Sequence, residues 1–142
     1  MSLNESIKIT DIRSCWERIK PGLEIVRRKC NADWRVEDVY AKCVSDSWTL
    51  FTADGVDGFL ICWQFTSDYS GAKTLMIEVA YYHGPLHPFD VYQPFLDDLA
   101  RSIGAKDIEF RSPRMGFLRK GWTEVDVVYR REVPCGQESE GQ

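Results

Sequence analysis

A single carboxylate interrupts an otherwise apolar stretch in the middle of the chain. Glu78 stands within the run from Leu75 to Tyr82, and the other seven residues there are aliphatic or aromatic. Burying a carboxylate is costly unless it is paired or functional, and a general base that takes a proton from an attacking amine is one such function. Two interpretations stay open: Glu78 is a base, or it lies on a partly solvated sheet face and pairs with a lysine or arginine.

The segment that follows this run carries two imidazoles and a further carboxylate. His83 and His87 are four residues apart, and Asp90 comes shortly after. Pro85 and Pro88 prevent the helix that would set both imidazoles on one face. The sequence therefore predicts no metal site here.

Aromatic side chains are frequent around the same run. Trp63, Tyr82, Phe89 and Tyr92 are the candidates for lining an acceptor cleft or a protein interface, since such surfaces favour aromatic residues. Packing in the core is the alternative for each of them.

Basic residues crowd a later segment that comprises Arg111, Arg114, Arg119 and Lys120. A solvated face explains such a cluster. A patch for an acidic partner, or for a distal phosphate of a ligand, is the alternative.

The pattern of apolar residues predicts the elements that would position these groups. Ile7 to Ile9 is predicted as a strand, and Thr10 or Asp11 as the N-cap of a helix that follows. A helical stripe runs from Ile12 to Cys30. Pro21 and Gly22 interrupt it, which predicts a kink or two short helices. A second stripe predicts a helix over residues 36–44.

β-rich segments predict three strands, 48–53, 58–65 and 73–82, joined as an antiparallel meander. Strict alternation along the third strand would set Met76, Glu78, Ala80 and Tyr82 on one face and Leu75, Ile77, Val79 and Tyr81 on the other. Pro94 suits the first turn of a helix that Gly104 would close. A strand over 107–110, a short helix over 111–120 and a last strand over 123–133 complete the prediction.

The length, the charge and the use of cysteine limit the classes of function that this protein can have. The 142 residues predict one domain over residues 1–133 and a flexible tail over 134–142. The net charge of −4 argues against general nucleic-acid binding. No apolar run is long enough to span a bilayer. The five cysteines form no Cys-x-x-Cys pair, which favours reduced thiols and a cytoplasmic location.

The predicted elements have an α+β order around one mixed, mostly antiparallel sheet. In chain order they are a strand, two helices, the meander, a helix, a strand, a short helix and a last strand. This order resembles the GNAT superfamily of N-acetyltransferases, and the block Phe-Leu-Arg-Lys-Gly-Trp-Thr-Glu-Val at 117–125 is similar to that family's C-terminal segment. The resemblance implies acetyl-CoA as the acyl donor and an amine of a small molecule or a protein as the acceptor. A homodimer is also compatible with it.

The same resemblance implies roles for individual residues. Glu78 would be the base, and the backbone of Val79 and Tyr81 would hold the pantetheine arm. His83 and Gly84 would begin the loop that binds the pyrophosphate through free amides at a helix N-terminus.

The sequence departs from the family at two places. The segment 83–94 has one glycine, three prolines and no arginine, and Asp90 adds a negative charge. Phe117 stands where the family has the tyrosine that protonates the leaving thiolate. The alternative is therefore a catalytically inactive binding module with a protein partner. Such a module would be similar to the small GNAT-like proteins that tailed bacteriophages encode, some of them virion-associated.

Overall fold

One mixed sheet organises the chain. The structure is a computed structural model that describes residues 6–30 and 32–111 together with Trp122, Arg131 and Pro134. Within these ranges five strands lie in the order β1-β2-β3-β4-β5. They are β1 Ile7–Ile9, β2 Thr49–Ala53, β3 Gly58–Thr66, β4 Lys73–Tyr82 and β5 Asp107–Phe110. Neighbours from β1 to β4 are antiparallel, whereas β5 runs parallel to β4.

Helices cover both faces of this sheet. The described ranges contain α1 Ile12–Cys30, α2 Val36–Val44 and α3 Pro88–Ile103. One face packs against α1 and α2 and forms the α1 core, whose buried members are Ile12, Ile19, Leu23, Val36, Val39, Leu50, Phe59, Ile61 and Val79. The other face packs against α3 and forms the α3 core: Phe51, Leu60, Cys62, Leu75, Ile77, Phe89, Tyr92, Leu96 and Ala100. The predicted α+β class with a mixed sheet is confirmed.

Most predicted elements are confirmed, and helix α1 shows where one prediction was inaccurate. Asp11 is the cap, since its Oδ1 accepts a hydrogen bond of 3.0 Å from the amide of Arg13. The kink lies at Cys15, where φ is −136° and ψ is 20°, and the helix continues through Pro21. The irregular turn therefore comes six residues before the proline.

Helix α3 begins earlier than predicted. Its first residue is Pro88 and its N-cap is His87, so Pro94 lies inside the helix. The prediction of Pro94 in the first turn was wrong because Pro88 also suits that position, where the missing amide costs nothing. Gly104 closes the helix with φ 76°, as predicted.

Some predictions fall outside the described residues. These are the short helix of 111–120 with Phe117, the last strand of 123–133 and the tail of 134–142, apart from Arg111, Arg131 and Pro134. None of the helices in the described ranges is long and apolar enough to cross a membrane.

Candidate active site

A β-bulge sets Glu78 apart from the rest of β4. Ile61 of β3 lies opposite Val79, and the next residue, Cys62, lies opposite Ile77. Glu78 is therefore the extra residue of β4, with no partner in the register. A bulge of this kind bends the strand and redirects a side chain, and bulges are frequent beside active sites.

The bulge also shifts the phase of the side chains along β4. Ile77 belongs to the α3 core and Val79 to the α1 core, although they are two residues apart. After the bulge, Tyr81 packs with the α1 core, while Ala80 and Tyr82 pack with the α3 core. The predicted alternation was therefore wrong across Glu78, because one inserted residue reverses the order of faces.

The carboxylate of Glu78 is held by an indole. Nε1 of Trp63 donates a hydrogen bond of 2.8 Å to Oε1 of Glu78, in a partly buried setting. The ring of Trp63 lies 5.5 Å from that of Phe65, whose side chain is 37% exposed. Within the described ranges the structure gives Glu78 this indole partner and no ion pair. The hydrogen bond therefore orients the carboxylate of Glu78, which is only partly buried.

Among the described residues, β5 pairs only with the first part of β4. The parallel pairing runs from Thr74 opposite Asp107 to Ile77 opposite Phe110, and it ends there. Strand β4 continues from Glu78 to Tyr82 with β3 on one side only, as far as the described residues show. From Glu78 onwards this edge of β4 has no neighbouring strand among the described residues, and we call it the free edge.

The register fixes which backbone groups face this free edge. The amide of His83 donates to the carbonyl of Asp57 at 2.8 Å, so the backbone of His83 points towards β3. Backbone groups alternate in direction along a strand. Tyr81 therefore also points to β3, while the N–H and C=O groups of Ala80 and Tyr82 point to the free edge.

A hydrogen bond from Tyr92 links the first half of α3 to the end of β4. The hydroxyl of Tyr92 donates a hydrogen bond of 3.0 Å to the carbonyl oxygen of Tyr81, and Tyr92 is only 3% exposed. Burial raises the pKa of the Tyr92 phenol. Gly58 makes room for this contact, because a Cβ there would stand 2.6 Å from the hydroxyl. Tyr92, proposed for the cleft, is thus a core residue.

The first turn of α3 has its amides occupied. Pro88 has no amide hydrogen, and the amide of Phe89 donates to Nδ1 of His87 at 3.1 Å. The amides of Asp90 and Val91 both donate to the carbonyl of His87, at 2.9 and 3.2 Å. Asp90 also adds a carboxylate to this turn. A helix N-terminus binds a phosphate through unoccupied amides, so this one is poorly suited to a pyrophosphate.

Aromatic rings fill the remaining space near the start of α3. A Cβ on Gly84 would overlap the ring of Tyr82, which therefore lies directly against that glycine. Phe89, 8% exposed, lies 4.7 Å from Phe110 and 5.5 Å from Trp122, centroid to centroid. The cluster of Phe89, Phe110 and Trp122 lies at the end of β5, on the face that α3 covers. Phe89, also proposed for the cleft, is buried within it.

Two shallow depressions of about 600 and 390 Å³ lie elsewhere, around the N-terminal end of α1. Thr10 and Arg13 line both of them. Neither includes Glu78, so they do not belong to the site described above.

The structure thus brings some predicted residues together and separates others. Trp63 and Glu78 are in contact, and Tyr82 lies against Gly84. Val79 and Tyr81 point their side chains into the α1 core, and His83 is exposed. The sequence analysis missed Ala80, whose backbone faces the free edge, and the role of His87 as a helix cap. The pair His87-Pro88, a cap followed by a proline at the first helical position, was the signal for the second.

Comparisons with known proteins agree with this geometry at the level of the fold. No family model matches the sequence, and no curated protein matches it. Among solved structures, a probable acetyltransferase superposes with a TM-score of 0.61 at 13% identity, over 91% of this chain and 97% of its own. A GNAT family acetyltransferase of Staphylococcus aureus gives 0.58 at 12% identity, over 89% and 97%.

A third structure is an aminoglycoside acetyltransferase from an uncultured soil metagenomic sample, in complex with sisomicin. It gives a TM-score of 0.60 at 12% identity, over 94% of this chain and 100% of its own. These identities are too low to transfer an activity, but the superpositions span nearly the whole of each chain. Together with the mixed five-stranded sheet, they show that this chain has the fold of the GNAT acetyltransferases.

Proposed function

We propose that this protein transfers an acyl group from a thioester to an amine, with Glu78 as the general base. The observation that carries the proposal is the position of Glu78 at the bulge, directly after the last described pair between β4 and β5. An amine that reacts at this edge would meet a carboxylate already held in place by Trp63.

The free edge suits an amide-containing chain such as the pantetheine arm of acetyl-CoA. Ala80 and Tyr82 offer backbone donors and acceptors there, and an extended ligand can pair with such an edge as an added strand does. The pyrophosphate of the same molecule does not fit, because the first amides of α3 are occupied and Asp90 is negative.

The chemistry is a substitution at an acyl carbon. A thioester supplies the activated acyl group. The acceptor nitrogen forms the new C–N bond, the C–S bond breaks, and the sulfur leaves as a thiolate. Glu78 takes the proton that the nitrogen loses. General bases of this kind contribute about 100-fold to 10,000-fold in rate.

A direct assay incubates the protein with acetyl-CoA or S-acetylpantetheine and three acceptors: a polyamine, an aminoglycoside and a lysine peptide. The aminoglycoside is included because one structural neighbour is an aminoglycoside acetyltransferase. Mass spectrometry detects the acetylated acceptor. Glu78→Gln should lower the rate about 100-fold or more, while Glu24→Gln, an exposed glutamate on α1, should leave it unchanged.

A wild-type rate in Glu78→Gln would contradict the role of this carboxylate. Absence of product for every combination would favour the second candidate function, a non-catalytic module that binds a protein. The exposed rings of Phe65 and Tyr69 support that candidate, because aromatic residues are enriched in protein interfaces.

A further inference from the structure

We infer that the acyl donor of this protein is a pantetheine thioester recognised by its arm alone, without a contribution from the nucleotide diphosphate. This inference rests on the proposed function and specifies its donor class. It starts from a contrast between two ends of one site. The backbone groups along the edge of β4 have no partner among the described residues, whereas the first amides at the N-terminus of α3 are hydrogen-bonded.

The helix end is closed by three independent features. Position one of α3 is Pro88, which has no amide hydrogen. The amide of Phe89 is bound by the imidazole Nδ1 of His87, and the next two amides by the carbonyl of His87. An anion there would have to displace these bonds before it gained any of its own.

The negative charge of the first turn of α3 also disfavours an anion there. Asp90 places a carboxylate in the first turn of α3, where the positive end of the helix dipole would otherwise attract an anion. The chain as a whole carries −4. A diphosphate at this position would therefore lie beside the carboxylate of Asp90, in a first turn whose described amides are already hydrogen-bonded.

The glycine of the loop is covered on one side. Gly84 is exposed, but the ring of Tyr82 occupies the side on which a Cβ would stand. At the other end, the backbone of Ala80 and Tyr82 faces the free edge beyond Ile77. The described edge of β4 therefore offers backbone groups to the arm, whereas the first turn of α3 offers no free amide to the nucleotide diphosphate.

Isothermal titration with two donors tests the inference. Acetyl-CoA and S-acetylpantetheine share the arm and the thioester, and they differ in the nucleotide. We expect the two dissociation constants of the wild-type protein to agree within fivefold. Tighter binding of acetyl-CoA by more than fivefold would overturn the inference and leave the proposed function standing. Binding of neither donor at millimolar concentration would overturn both.

A double variant tests the cause. His87→Ala with Asp90→Asn frees the amide of Phe89 and removes the carboxylate, so acetyl-CoA should bind at least threefold tighter while S-acetylpantetheine is unaffected. Asp98→Asn is the matched control, because it removes an exposed charge from the same helix far from its N-terminus. A thermal melt verifies that each variant is folded. Equal affinity of the double variant and the wild type for acetyl-CoA would contradict the assigned cause.

Discussion

The indole Nε1 of Trp63 lies 2.8 Å from Oε1 of Glu78, across the pair of strands β3 and β4. Trp63 is opposite Met76 in the register, not opposite Glu78. The bulge brings the two side chains together, because it advances β4 by one residue relative to β3. A local irregularity of the backbone thus determines the surroundings of the candidate base.

This contact predicts a coupling between the two residues in stability. Trp63→Phe and Glu78→Ala, alone and combined, form a double-mutant cycle measured by urea denaturation. A hydrogen bond to a carboxylate is worth about 1.5–3 kcal/mol when it is well shielded, and partial exposure lowers the expected coupling to about 1 kcal/mol. Free energies that add to within about 0.3 kcal/mol would contradict the contact.

Gly58 should tolerate no side chain. A Cβ in Gly58→Ala would stand 2.6 Å from the hydroxyl of Tyr92 and closer still to the carbonyl oxygen of Tyr81. Overpacking of this kind costs about 1–3 kcal/mol in the free energy of unfolding. In a Tyr92→Phe background the penalty of Gly58→Ala should be smaller, since one of the two contacts is gone. An equal penalty in both backgrounds would argue against the described packing.

The thiol of Cys62 should make the protein less stable in alkali. Burial raises its pKa from 9.0 to about 12. The unfolded chain releases this proton above pH 9 and the folded chain retains it, so the stabilisation is complete below pH 9 and is lost as the pH rises towards 12. One such group contributes a slope of at most about 1.4 kcal/mol per pH unit.

The check compares unfolding free energies between pH 9 and pH 11 in three proteins. Cys62→Ala should show a shallower fall than the wild type. Cys30→Ala, whose thiol is exposed at the end of α1, should follow the wild type. If all three curves are parallel, Cys62 does not remain protonated in the folded state.

The sequence carried enough information for most of the fold in the described ranges. Apolar runs and turn residues marked β2, β3 and β4, and the stripe from Val36 to Val44 marked α2. The bulge at Glu78 could not be predicted, because the run from Leu75 to Tyr82 is apolar on both faces. Such a run carries no alternation from which a change of phase could be detected.

The candidate site was predicted only in part for the same reason. Glu78 stood out as the lone carboxylate of its strand. Its hydrogen-bond partner depends on the register between β3 and β4, which cannot be read from the sequence. Trp63 was therefore proposed for a cleft rather than as a hydrogen-bond donor to the base. Likewise Pro88 and Pro94 both fit a first helical turn, and the cap formed by His87 accompanies the earlier one.

The central claim is that a thioester arm binds along β4 beyond the bulge, and an NMR titration tests it most directly. ¹⁵N-labelled protein is titrated with S-acetylpantetheine, and the backbone amides are followed individually. The account predicts the largest shifts at Ala80 and Tyr82, with little change at Gly71, which lies in the turn at the far end of the strand. Unchanged amides at Ala80 and Tyr82 at millimolar ligand would contradict it.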